Sequence, residues 1–317
     1  MKAIVQDEYG PPSTLRLGEI PIPVPGPKNV LVRVHGAGVD YGVWHAMTGL
    51  PLAARLGLGL RRPRSRVPGM DVAGVVESVG AGVTALRPGA EVYGVATGAY
   101  AQYALARPAG LARKPANLDF TEAAAVPVSG VTALQAVGRV TPGERALIIG
   151  AGGGVGGFAT QLAAAAGADV TGVCSTAKAD LVRSLGAKNV IDYTREPLTG
   201  AYDLIVDIAG NRPPAVLRGL LAERGRLVLV GGEGGGRWFG GVHRMLAAPL
   251  TGLFTRHRVS ALFSRTRTAD LDTLRGLIES GAVRPHVGRV YPLERAADAV
   301  ADLAAGNAPG KLVITIA

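Results

Sequence analysis

The sequence predicts an α/β protein of two domains, one rich in short strands and one built on a parallel sheet with helices on both faces. Three observations predict it. The chain has 317 residues, enough for two cores. Up to about Phe120 it reads as short β segments punctuated by Pro and Gly, and beyond that point strands and helices alternate. Hydrophobic residues make up 48% and charged residues 18%, the balance of a folded globular chain.

Taken in order, IPIPVPG (20–26) is a Pro-rich extended link and VLVRVHGAGV (30–39) a strand with an alternating core. MDVAGVVESVG (70–80), EVYGV (91–95) and AYAQYALA (99–106) follow the same style. Then ALIIG (146–150) is an apolar strand, GGFATQLAAAAG (156–167) a helix and DVTGVCS (169–175) the next strand. ADLVRSLGA (179–187) is helical, while NVIDY (189–193), YDLIVDIAG (202–210) and RLVLVGG (226–232) are strands. GKLVITIA (310–317) is β-like again and is expected to return to the first domain. No internal repeat and no long linker is read.

A single cysteine, Cys174, rules out a disulfide scaffold and any Cys-based zinc cluster. The opening MKAIVQDEYG has no apolar run, so no signal peptide is read and a reducing, cytoplasmic setting is expected. From Ala146 to Ala168 there are 23 residues without a charge, but seven are Gly, five of them between Gly150 and Gly156. That clustering suits a tight strand-to-helix turn rather than a membrane span. Net charge is +10, with 28 Arg to 6 Lys. Residues 41–70 hold Arg55, Arg61, Arg62, Arg64 and Arg66, and residues 234–269 hold Arg237, Arg244, Arg256, Arg258, Arg265 and Arg267, with no acid in either stretch. These could meet an anionic ligand, an acidic carrier protein, a membrane surface or nucleic acid. A solvated face of an Arg-rich chain is favoured.

The strongest motif is ALIIGAGGGVGGFATQLA, in which Ala151, Gly153 and Gly156 occupy the key positions of a G/A-x-G-x-x-G pattern. It follows an apolar strand and opens a helix, the context in which such glycines let backbone approach a pyrophosphate at a helix N-terminus. An acid some ~20 residues on would hold the ribose 2′-hydroxyl of NAD. That place reads Cys174-Ser175-Thr176-Ala177-Lys178. Two hydroxyls and an ammonium suit a 2′-phosphate, so NADP(H) is expected over NAD(H), although Asp180 lies close by.

Segments from end to end, among them PGMDVAGVVESVGAGV, KPANLDFTEAAAVPVSGVTALQAV, GAGGGVGGFATQLA, VCSTAKADLVRSLGAKNVIDYTRE and GKLVITI, give the chain a resemblance to a known family. It resembles the zinc-independent quinone oxidoreductase branch of the medium-chain dehydrogenase/reductase superfamily. The resemblance implies a GroES-like catalytic domain at 1–122 plus 265–317 and a Rossmann NADP(H)-binding domain at 123–264. It also implies a cleft between them for nicotinamide and substrate. The positions that carry zinc ligands in metal-dependent members hold Asp40, Met70 and about Val128 here, so no metal is expected. By the same resemblance Gly152, Gly153, Gly154 and Val155 contact the pyrophosphate, and Ser175, Thr176, Lys178 and Tyr193 surround the 2′-phosphate. Ala209, Gly210 and Asn211, with Val230, Gly231 and Gly232, flank the adenosine and the nicotinamide ribose. Thr132 and Lys311 are expected near the nicotinamide.

Without a Lewis acid, reduction of a quinone or an activated C=C bond is easier to explain than alcohol–ketone chemistry, because the product oxygen needs only a hydrogen-bond donor and a proton. The candidates are Asp40, Tyr41 and His45. Asp40 is either a proton-handling carboxylate or a turn residue that bonds its own backbone. His45 is either a proton donor or a ring packed beside Trp44, and Tyr41 a hydroxyl donor or a wall aromatic. The expected activity is NADPH-dependent reduction of quinones, enones or 2-alkenals. The alternatives are a biosynthetic enoyl reductase, a redox-neutral cyclase that retains NADP(H), and an NADPH sensor that binds nucleic acid. In the segment 234–264, Trp238, Phe239, Met245, Leu250, Leu253 and Phe254 are interleaved with Arg. RVSALF (258–263) is expected to be the edge strand of a homodimer, and 237–255 is left open between a lid, a docking surface and an interfacial helix.

Overall fold

The computed structural model describes residues 1–232, 236–252, 256–306 and 308–317. The chain forms two compact units, Met1–Val131 with Arg265–Ala317, and Thr132–Ser264. The first contains β1 (Lys2–Val5), β2 (Arg16–Glu19), β3 (Val30–Val39), α1 (Tyr41–Thr48), α2 (Arg55–Leu58), β4 (Asp71–Val79), β5 (Glu91–Thr97), β6 (Tyr103–Arg113) and α3 (Phe120–Ala124). The chain passes between the units within α4 (Pro127–Val137). The second contains β7 (Arg145–Ile149), α5 (Gly154–Ala165), β8 (Asp169–Cys174), α6 (Ala179–Ser184), β9 (Asn189–Asp192), β10 (Tyr202–Asp207), α7 (Pro214–Arg218), β11 (Leu221–Leu229), α8 (Val242–Gly252) and β12 (Arg258–Ala261). The return to the first unit brings α9 (Thr268–Glu279), β13 (Val287–Pro292), α10 (Ala296–Ala304) and β14 (Lys311–Thr315).

In the first unit the strand order is β13-β14-β3-β4-β5-β6, and a further β3–β6 pairing closes the sheet on itself. A closed sheet fills its interior with side chains. Val30, Val32, Val34, Val72, Val76, Val92 and Leu111 supply that filling, joined by Leu312 and Ile314 from the returning strand. The strand expected over 99–106 starts at Tyr103 instead and runs on to Arg113. The amides of Ala99 and Tyr100 are taken by the carbonyls of Gly69 and Pro68, at 3.2 and 3.0 Å, which removes them from the ladder. Asp119 and Glu122 form a reciprocal cap that starts α3.

The second unit is the doubly wound sheet that strand–helix alternation predicts. Its order is β12-β11-β10-β7-β8-β9, every pairing parallel. Order reverses at β7, and in such sheets ligands bind beyond the carboxyl ends of the strands at that point. Ile148, Ile149, Leu204, Ile205, Val206 and Leu227 are buried on the central strands, as sheets covered on both faces require. Among the described residues no helix is long and apolar enough to cross a membrane.

Candidate functional site

At the end of β7 the chain turns through Gly150, whose φ of +91° favours glycine. The amides of Gly150 and Ala151 both bond the Val173 carbonyl at 3.1 Å, pinning the turn to β8. Gly153 is extended and serves as N-cap of α5, and the Gly157 amide closes the first helical bond on its carbonyl at 2.8 Å. A Cβ at Gly156 would lie 2.0 Å from the Gly150 oxygen, whereas one at Gly153 would meet only that oxygen at 3.5 Å. Gly156 therefore permits the turn, and Gly153 leaves room above it. The first-turn amides of Gly154 and Val155 have no acceptor within the helix. With the helix dipole they favour an anion.

Lys178 lies over this turn, because a Cβ on Gly152 would stand 2.8 Å from its Cδ. Ser175 opens the short helical turn that carries Thr176 and Lys178. Burial pushes the Lys178 ammonium below its ordinary range. Tyr193 is exposed, with the Arg212 guanidinium 6.0 Å from its ring centroid. Sequence reasoning missed Arg212, and it missed Asp192, whose carboxylate accepts from the hydroxyls of Thr176 and Thr194 and is held below the usual range by those bonds. The backbone amides, the Ser175 hydroxyl, the Lys178 ammonium and the exposed Tyr193 fit a phosphorylated dinucleotide, while the Thr176 hydroxyl is given to Asp192.

The turns after β10 and β11 interlock. The amides of Ile208 and Ala209 bond the Ile149 carbonyl, and those of Val230 and Gly231 bond the Asp207 carbonyl at 2.9 and 3.2 Å. A Cβ at Gly231 would lie 1.9 Å from the Ile208 oxygen. Ala209, Gly210 and Asn211 are thereby brought beside Val230, Gly231 and Gly232. Asp207 is fully buried and pairs with Arg244 of α8. Sequence reasoning missed this pair. An acid ending the apolar run YDLIVD was the available signal, since a buried carboxylate demands a partner. Thr132 is buried in the same unit.

In the first unit a different group converges. Asp40 is the N-cap of α1, its Oδ1 accepting from the Val43 amide at 3.1 Å. Asp71 Oδ1 accepts from the Val128 amide at 2.7 Å, and Lys311 Nζ lies 2.7 Å from Asp71 Oδ2 and 3.9 Å from Asp40 Oδ2. Lys311 also donates to Ser129 Oγ at 3.1 Å. Burial pushes the Asp71 carboxyl up to about 6 against the pull of Lys311. Asp71 and Ser129 were not read as site residues. The elements that present Asp40, Met70 and Val128 thus meet around an ammonium. Zinc does not fit that donor set: Asp40 already caps a helix, Met70 offers a thioether and Val128 nothing, and the Lys311 charge opposes a dication. Among the described residues no group of three His, Cys, Asp or Glu could hold a metal ion.

Tyr41 opens α1, is 37% exposed and donates to the Leu303 carbonyl at 3.3 Å. His45 packs edge-on against Trp44, with Nδ1 2.6 Å from the Leu50 carbonyl. Asp40, Tyr41, His45 and Lys311 belong to the first unit, the other expected site residues to the second. The Arg-rich stretches are partly absorbed: Arg66 pairs with Asp7, Arg256 with Glu223, and Arg55 lies over the Tyr9 ring. Trp238 and Phe239 are exposed and Met245 is buried. Leu253, Phe254 and the Leu250 side chain lie outside the described residues.

Residues 26–116 match the alcohol dehydrogenase GroES-like domain family and residues 185–314 the zinc-binding dehydrogenase family. The chain is 31% identical to a quinone oxidoreductase of Lama guanicoe, an alignment covering 100% of this chain and 98% of that protein. It is 33% identical to a chloroplastic NADPH-dependent alkenal/one oxidoreductase of Arabidopsis thaliana, over 99% of this chain and 79% of that one. The solved quinone oxidoreductase from Coxiella burnetii superposes with a TM-score of 0.88 at 28% identity, covering 100% of this chain and 99% of that one. With a closed GroES-like sheet, a doubly wound sheet and likeness along its whole length, the chain belongs to the quinone oxidoreductase branch of the medium-chain dehydrogenase/reductase superfamily.

Proposed function

We propose that this protein is an NADPH-dependent oxidoreductase that reduces quinones or activated C=C bonds such as those of enones and 2-alkenals. The observation that carries it is the glycine turn at the end of β7 with Lys178 laid over Gly152. The relatives named for quinone and for NADPH-dependent alkenal/one reduction support the same reading.

The amides of Gly154 and Val155 hold the pyrophosphate, and Ala151 to Gly156 shape the bed beneath it. Ser175, Lys178 and Tyr193 take the 2′-phosphate, with Thr176 beside them bonded to Asp192. Ala209 to Asn211 and Val230 to Gly232, on the side of β7 away from β8 and the 2′-phosphate, flank the nicotinamide ribose. When bound, NADPH supplies a hydride from C4 of its nicotinamide to an electron-poor carbon. The chain's own task is then to stabilise the oxygen that gains charge and to see it protonated. Of the three candidates, Asp40 is occupied as a helix cap and His45 bonds a backbone carbonyl. Tyr41 is the most exposed of them and holds its acceptor by a long bond, so it is assigned as the donor to that oxygen. The protein acts as a homodimer joined through β12, which lies at the sheet edge and carries the exposed Phe263 just beyond it. It works in the cytoplasm, where its single, buried Cys174 stays a thiol.

The test is loss of nicotinamide absorbance with NADPH, and with NADH in parallel, against a benzoquinone, a naphthoquinone, a 2-alkenal and an enone, each with and without chelator. Turnover that prefers NADPH and ignores chelator is expected. Tight NADPH binding without turnover on any acceptor overturns the substrate assignment, and loss of turnover with chelator overturns the metal-independent chemistry.

A further inference from the structure

We infer that Arg244 is a positioning residue for the nicotinamide half of the dinucleotide, clamping the two turns that follow β10 and β11. The inference rests on the dinucleotide reading above and assigns a role that neither the motif nor the composition of the Arg-rich segment suggests. Five of the six arginines between 234 and 269 are exposed: Arg237, Arg256, Arg258, Arg265 and Arg267. Arg244 alone turns inward, its side chain 8% exposed, against an Asp207 that is 0% exposed. Enclosing a guanidinium is costly. Its Nε has no partner among the described residues, so the contacts of its two terminal nitrogens identify what it serves.

Those contacts fall on both turns. One terminal nitrogen pairs with Asp207 Oδ2, and the other donates to the Gly231 carbonyl at 3.2 Å. The second oxygen of Asp207 accepts from the Gly210 amide at 3.2 Å, and its main-chain oxygen accepts from Val230 and Gly231. A single planar fork thus ties the turn of Ala209 to Asn211 to the turn of Val230 to Gly232. The turns cannot fix themselves by packing. Gly210 sits at φ +67°, and Gly231 has no room for a Cβ, so the critical positions carry no side chains to lock. Rigidity has to be lent from elsewhere, and α8 lends it, with the Gly241 amide on the Gly232 carbonyl at 2.9 Å as a second tie. The glycine turn and Lys178, which hold the pyrophosphate and 2′-phosphate, receive none of these bonds.

The experiment compares NADP⁺ with adenosine 2′,5′-bisphosphate, which lacks the nicotinamide half, by calorimetric titration of the full-length protein. Thermal unfolding is recorded alongside. Arg244→Met should weaken NADP⁺ binding about tenfold or more and leave the bisphosphate within about twofold. The Asp207→Asn/Arg244→Met double variant keeps an acceptor for the Gly210 amide and removes the stranded charge. It should recover thermal stability while NADP⁺ binding stays weak. Equal losses for the two ligands, or recovery of NADP⁺ binding together with stability, overturn the assignment of Arg244 alone. Failure of the wild-type protein to bind either ligand overturns the dinucleotide reading and this inference with it.

Discussion

Lys178 and Asp71 show how burial tunes a charge for opposite ends. Desolvation lowers the pKa of Lys178, so the ammonium gains most when an anion replaces the lost water. Lys178→Ala should lower kcat/KM for NADPH about tenfold and leave NADH within about twofold. A steady-state comparison of the two cofactors checks this, and equal losses would mean that Lys178 only packs over Gly152. Asp71 titrates in the folded protein at about 6, its burial outweighing Lys311, with Asp40 adding repulsion. An unfolded Asp titrates near ~3.9. The native state therefore keeps the extra proton between those values, and the group's stabilising contribution is full below the lower one and lost as pH rises through the upper. Asparagine imitates the protonated form at every pH. Between about pH 4 and 7, Asp71→Asn should gain about 3 kcal/mol on the wild type, as measured by urea unfolding across that range. A difference that ignores pH would remove Asp71 as the titrating group.

At the scale of the element, the turn between β7 and α5 separates folding from binding. Gly156→Ala places a methyl 2.0 Å from the Gly150 carbonyl, so the turn must open. Overpacking of that kind costs about 1–3 kcal/mol and should reach both melting temperature and NADPH affinity. Gly153→Ala meets nothing closer than 3.5 Å and should leave the melting temperature unmoved. It should still weaken NADPH about tenfold by standing where the pyrophosphate approaches. Calorimetry and fluorescence titration of the two variants decide it, and identical behaviour would contradict the division of labour. This turn was legible in sequence because its members are contiguous and each glycine answers a local steric demand. The Asp40 cap was legible for the same reason, being a bond to the backbone three residues on. Asp71 and Ser129 were not, and Lys311 was expected near the nicotinamide rather than on them, since 182 positions separate Ser129 from the lysine that bonds it. Arg244 was hidden differently. It sits among five exposed arginines, beside an exposed Trp238 and Phe239, and no periodicity marks which cation turns inward.

At the scale of the whole molecule, the doubly wound sheet leaves β12 as an outer strand with one side unpaired among the described residues. Such an edge is a template for a second copy. Phe263→Asp is expected to convert the proposed dimer to a monomer in sedimentation velocity while changing monomer stability by less than about 0.5 kcal/mol, as exposed substitutions do. An unchanged sedimentation coefficient would place the dimer contact elsewhere, or show that none forms. The order of the chain adds a consequence for biosynthesis. Residues 132–264 form an uninterrupted unit that can close its sheet during translation, whereas the first unit waits for β13 and β14. Until Lys311 leaves the ribosome, residues 36–39 of β3 lack their β14 partner, and Asp40 and Asp71 face each other without a counter-ion. The β3–β6 closure needs only residues 30–113. The nascent chain therefore carries a finished nucleotide-binding half beside a closed sheet that still lacks its last two strands and the one ammonium its buried carboxylates share.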